Sequence, residues 1–199
     1  GFSIVGYTTQ SSGTATVGHG LSSPPDMVIV KTTTVADSWR TYHSSLGAGF
    51  QMYLNLTNAA GSTSNQWNNT APTSSVFTLG TDNAGSYPSV AYCFTSIPGY
   101  SKVGTYTGLG SGGPLTVNVG FAPTLVIIKR TDSTGTWRMF DTVRGTDKSL
   151  RANSSDAEYD DVSNYVDFTS TGFYFNTSQA NPDINASGGT YVYLAIKEN

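Results

Sequence analysis

The chain holds two histidines, His19 and His43, and a single cysteine, Cys93. A Ser-His-Asp site needs an imidazole held by a carboxylate and set beside a nucleophile. Serine and threonine are too plentiful here to single one out, and no Gly-x-Ser-x-Gly elbow occurs. The two histidines therefore read as a loop residue and a strand-end residue, and no catalytic residue is assigned. Cys93 sits inside an apolar alternating stretch and reads as a small buried hydrophobe. Gly108-x-Gly110-x-x-Gly113 has the spacing of a dinucleotide fingerprint. That fingerprint works only where a strand delivers a pyrophosphate to a helix N-terminus. Pro114 and a strand-like run follow it here, so it reads as a hairpin turn.

Asp156, Glu158, Asp160 and Asp161 are the one dense acidic run. Carboxylates at alternate positions of a loop suit calcium, although the glycine and closing glutamate of an EF-hand are missing. A calcium site is thus the one metal expectation, and no other cofactor is expected. Tyr53, Trp67, Tyr87 and Tyr159 fall near loops or on the polar side of strands. Exposed rings stack on sugar rings while Asn, Asp and Ser hold hydroxyls, which makes these four the candidate carbohydrate contacts. Hydrolysis of a polysaccharide would need two carboxylates across a cleft, and the acids are confined to one loop.

The elements that position these residues come in two copies. Pro25-Asp26-Met27-Val28-Ile29-Val30-Lys31 returns as Pro123-Thr124-Leu125-Val126-Ile127-Ile128-Lys129, an offset of 98 (123 − 25). At the same step Trp39-Arg40 becomes Trp137-Arg138 and His43 becomes Asp141. Phe77 and Leu79 find Phe173 and Phe175, and Val90–Phe94 answers Val192–Ile196. An apolar run behind a proline reads as a central strand covered on both faces. Val28, Ile29, Val126 and Ile127 are the predicted core, with Trp39 and Trp137 in a shared packing role. Phe50–Leu56 alternates, placing Phe50, Met52, Leu54 and Leu56 on one face. No window of a dozen residues has a 3.6-residue period, so no helix is predicted. Many short strands with polar turns argue for sandwich architecture, consecutive strands pairing antiparallel. The expectation is an all-β chain of two tandem antiparallel sandwich units, residues 1–98 and 99–199, in close contact across a short connection.

Only 12% of the 199 residues are charged, about half the usual ~25%, so Ser, Thr, Asn and Gly must cover the surface. The net charge of −3 and scattered Lys and Arg argue against nucleic acid. No apolar run approaches the ~20 residues that cross a bilayer. Gly1 rather than Met opens the chain, which suggests processing or a piece of something longer.

Gly6-Tyr7-Thr8, Val17-Gly18-His19-Gly20-Leu21, Pro25 to Lys31, Trp39, Tyr42-His43 and Leu54-Asn55 follow one another in an order that resembles a β-domain of tailed-bacteriophage virion proteins, of the kind carried by marine and cyanobacterial phages. Gly120-Phe121-Ala122-Pro123 through Lys129 and Trp137-Arg138 resemble the other half of that family. The resemblance implies lectin- or jelly-roll-like sandwiches in a tail fibre or other structural protein on the virion surface. It also implies a homo-oligomer contacting other virion proteins and host surface glycans, and it brings no catalytic residues. A carbohydrate-binding module is the alternative, and a polysaccharide hydrolase comes last.

Overall fold

The computed structural model describes residues 1–160, 166–176 and 181–198. The chain is all-β and divides into two compact units, residues 1–54 with 60–96 and residues 55–59 with 97–199.

In the first unit the strands are β1 (Phe2–Thr8), β2 (Ala15–Gly18), β3 (Met27–Thr32), β4 (Arg40–His43), β5 (Phe50–Tyr53), β6 (Gly61–Ser62), β7 (Val76–Leu79) and β8 (Pro88–Phe94). A six-stranded antiparallel sheet runs β1-β8-β3-β4-β5-β6, and β2 pairs β7 in a second, small sheet. The core lies between them. Inward residues of the large sheet, Val28, Val30, Tyr42, Ala91 and Cys93, meet Val17, Phe77 and Leu79 of the small one. The period of two sets this. Val28 lies opposite Cys93 and Tyr42, and Val30 opposite Ala91, so one face of three strands closes the core.

The second unit contains β9 (Ser101–Thr107), β10 (Leu115–Asn118), β11 (Leu125–Arg130), β12 (Arg138–Asp141), β13 (Lys148–Arg151), β14 (Tyr159–Asp160), β15 (Asp167–Phe168), β16 (Gly172–Phe175) and β17 (Thr190–Ile196). Its large sheet runs β14-β13-β12-β11-β17-β9 and its small sheet β10-β16-β15. Exchanging β1 for β9, β2 for β10, β3 for β11 and so on reproduces the first unit strand for strand, with β15 added. The step is 98 at the central strand (125 − 27), 96 at β7 and β16 (172 − 76) and 102 at β8 and β17 (190 − 88). These are the steps the sequence echo shows. The insertions that change them lie in loops, where they disturb no ladder.

Several expectations change. β1 and β2 do not pair, nor do β9 and β10; each couple crosses from the large sheet to the small one. A strand pairs according to the face it must bury, and sequence neighbours pair in the four-strand meanders β3-β4-β5-β6 and β11-β12-β13-β14 and in β15-β16. The face predicted for Phe50–Leu56 is cut short, because β5 ends at Tyr53 and the chain turns. Met52 is fully buried while Phe50 and Leu56 are exposed. Val28, Ile29 and Val126 are buried, but Ile127 is only half-buried. The two tryptophans part company. Trp137 is buried, whereas Trp39 is half-buried and stacks on Tyr92, centroids 6.3 Å apart.

Asn55–Ala59 belongs to the second unit. The Thr57 carbonyl accepts from the Gly135 amide at 2.9 Å and from Lys129 Nζ at 3.4 Å. Lys129 is wholly buried, and its ammonium also donates to the Arg130 carbonyl at 2.6 Å. Burial lowers this amine from its ordinary value of 10.5 to about 8, against the opposing pull of Asp183. Between those two values the unfolded chain binds a proton that the fold has shed. Stability therefore rises with pH across that window, and below about pH 8 the full cost of the buried charge is present. Above about pH 10 buried tyrosines act in the opposite direction, since burial pushes Tyr193 up to about 12. Lys129→Met is expected to gain about 1–3 kcal/mol at neutral pH and to flatten the rise. Urea titrations at neutral and mildly alkaline pH check this; an unchanged slope in the variant contradicts it.

Candidate functional site

The first unit carries a cleft of about 180 Å³ where the β3–β4 loop meets the β7–β8 loop. Asp37 and Arg40 line it from one side, Asp82, Asn83 and Tyr87 from the other, with Val35 and Ala36 as its apolar part. The β7–β8 loop is anchored rather than draped. The Gly85 and Ser86 amides donate to the Gln10 carbonyl, and Thr9 and Tyr87 exchange bonds, the Tyr87 amide donating to Thr9 Oγ1 at 2.8 Å. A buried amide pair fixes the turn Thr81–Asn83: Gln66 Nε2 donates to Asn83 Oδ1 at 2.9 Å, and Asn83 Nδ2 donates to the Gln66 carbonyl at 2.8 Å. Gly85 sits at φ 138°, where a Cβ would lie 2.1 Å from the Tyr87 ring. Only glycine leaves that ring where it is.

Arg40 ties the two loops together. Its Nη1 donates to the Asp82 carbonyl at 2.6 Å and its Nη2 to Asp37 Oδ1 at 3.2 Å. Two carboxylates and one guanidinium make the lining formally −1. The Tyr87 ring is 37% exposed. The arrangement offers one aromatic face and two acid groups beside a small apolar floor. Such a set can stack a flat face and accept from hydrogen-bond donors.

Of the four predicted sugar-stacking residues only Tyr87 lines the cleft. Trp67 is a correction. It is 2% exposed and packs edge-on against Tyr42, centroids 5.7 Å apart, inside the core. Its polar neighbours in sequence suggest a surface loop, but that loop folds inward and uses the indole as packing mass. The Tyr53 phenol accepts from Gln51 Nε2. The Tyr159 ring lies against the guanidiniums of Arg138 and Arg151, 4.9 and 4.8 Å from its centroid.

Two of the acids expected to hold calcium are paired with cations. Asp156 pairs with Arg151 at 2.9 Å, and Glu158 with Lys148 at 3.2 Å and Arg144 at 3.5 Å. Asp160 lies opposite Lys148 in the β13–β14 ladder, and Asp161 lies outside the described residues. Asp156 and Glu158 thus answer neighbouring cations. Among the described residues no three of His, Cys, Asp and Glu are grouped to hold a metal.

The glycines at 108 and 110 serve close packing, and Gly113, at φ 144°, serves backbone conformation. A Cβ on Gly108 would lie 2.3 Å from the Ala186 carbonyl, and the Leu109 amide donates to Asn185 Oδ1 at 2.9 Å. The segment connects two sheets and is not the hairpin turn that the spacing suggests. His19 is buried as a staple: the Leu21 amide donates to its Nδ1 at 3.1 Å, and its Nε2 meets the Thr73 carbonyl at 3.0 Å. His43 is 1% exposed, with Nδ1 accepting from the Ser45 amide. Burial pushes the Cys93 thiol up to about 11, away from nucleophilic use.

Against known proteins, one family matches the chain from residue 1 to residue 199, a domain of unknown function, DUF7483. The chain belongs to the DUF7483 family. No curated protein and no solved structure matches it. Among the described residues no helix is long and apolar enough to cross a membrane, which leaves strand-built membrane proteins unaddressed. For this DUF7483 chain the sequence missed Asp37, Arg40 and Asp82 as partners of Tyr87. The signal available was the echo itself. Arg40 repeats as Arg138, while Asp37 and Tyr87 answer to Gly135 and Gly189 at the local steps, so the first copy carries an acid and a ring that the second lacks.

Proposed function

We propose that the chain is a non-enzymatic structural or tail-fibre domain of a virion, displayed on the particle surface, self-associating and in contact with host glycans. The observation that supports this best is the placement of the residues carrying the phage resemblance. Pro25 to Lys31 and Pro123 to Lys129 lead into and form the central strands of two equivalent sheets, so the shared pattern is a scaffold pattern. The mass of the native assembly, with immunogold labelling of purified particles, tests the reading. Several copies and labelled particles are expected; a strict monomer with unlabelled particles overturns it.

The second reading is a carbohydrate-binding module. It is favoured by one observation, the half-exposed Tyr87 ring held beside Asp37, Arg40 and Asp82. It now rests on that cleft in place of the four scattered aromatics.

A further inference from the structure

The two units present the same end of the same fold in two chemical states. In the second unit Arg138, the counterpart of Arg40, is 6% exposed and fully engaged. Its Nε and Nη2 donate to Asp183 Oδ2 at 3.2 and 3.1 Å, and its Nη1 donates to Ser149 Oγ at 3.0 Å. Asp183 comes from the β16–β17 connection, residues 176–189, six longer than its counterpart, residues 80–87 (14 − 8). At the local step of 102, Tyr87 corresponds to Gly189, and Ser89 to Tyr191, which is wholly buried and stacked on Tyr106 at 4.9 Å. The second unit thus fills its end with its own carboxylate and its own ring. The first unit has a shorter connection, an Arg40 side chain 18% exposed against 7% for Arg138, and an open cleft with Tyr87 at its edge.

We infer that the first unit's cleft takes an uncharged hexopyranose, ring face on Tyr87 and hydroxyls on Asp82, and that the second unit has lost this site by self-filling. The charge argument selects the sugar class. In both units one carboxylate already answers the guanidinium: Asp183 for Arg138 and Asp37 for Arg40. Asp82 is then an uncompensated acceptor, suited to a pair of hydroxyl donors and repelling a uronate. The inference rests on the saccharide reading of the cleft and adds to it the ligand's charge and the restriction to one unit.

The test is ligand-observed NMR on the full chain with methyl glucoside, methyl galactoside, methyl mannoside and methyl glucuronide. At least one neutral glycoside is expected to bind, the glucuronide about tenfold more weakly at low salt. Tyr87→Ala is expected to weaken binding about tenfold, the worth of one stacked ring, Tyr87→Phe to weaken it less because the ring remains, and Tyr159→Ala to leave it unchanged. Gly85→Ala, which drives a methyl into the Tyr87 ring, is expected to lose binding with the Tyr87 side chain still present. Circular dichroism on each variant confirms the fold. A glucuronide that binds as well as the neutral sugars overturns the charge inference and leaves the site standing. Saccharide binding that ignores Tyr87 and Gly85, or no binding at all, overturns the site itself.

Discussion

Trp67→Ala is expected to destabilise the first unit by about 3–5 kcal/mol, the cost of emptying a large buried aromatic site. The indole is 2% exposed and wedged among Tyr42, Phe77 and Leu79 of the same core cluster. Tyr42 loses its edge-on partner, and the loop carrying Gln66 loses the anchor that holds its amide pair with Asn83. Trp67→Phe is expected to cost far less than the alanine change. It keeps most of the ring and removes an indole N–H that is buried without an acceptor. Urea titration followed by circular dichroism reads both. A loss below about 1 kcal/mol for the alanine variant is what a surface ring would give, and would return Trp67 to the exposed set.

Asp183→Ala is expected to cost the second unit about 3–5 kcal/mol, because it leaves the Arg138 guanidinium buried and uncompensated. The carboxylate does two jobs. It accepts twice from Arg138 and, through Oδ1, holds the Thr136 amide at 2.9 Å, pinning the loop before β12. Replacing both partners at once with apolar residues, Arg138→Met with Asp183→Leu, is expected to recover much of the loss, since no stranded charge remains. The contrast is Asp156→Ala, which breaks a solvent-exposed pair with Arg151 and is expected to cost less than about 1 kcal/mol. The same titrations decide this. If Asp183→Ala and Asp156→Ala cost alike, the buried pair is not what closes that end of the unit.

The large-sheet strands were legible because each obeys a local rule. The period of two along β8 puts Ser89, Ala91 and Cys93 on one face, and the proline-led apolar runs mark the two central strands. The two-residue edge strands β6 and β14 were not legible, since two residues carry no period. Within the candidate site Tyr87 was read correctly as a loop-side aromatic. Trp67 was not, because a ring in a polar loop has the same neighbours in sequence whether the loop folds outward or inward.

By itself, then, the sequence determined that the chain is all-strand, that it is duplicated, and where the repeat changes step. These follow from patterns whose range is a few residues, or from direct comparison of one half with the other. Tertiary structure alone decided that consecutive strands cross between sheets, that Asn55–Ala59 belongs to the second unit, and that Lys129 is buried while Lys31 is not. It also decided which copy of the module ends in an open cleft. That outcome turns on whether a loop from one strand connection reaches an arginine more than forty residues away, as Asp183 reaches Arg138 and Asp82 reaches Arg40. Loop length and closure across that distance set such contacts, and no local periodicity reports them.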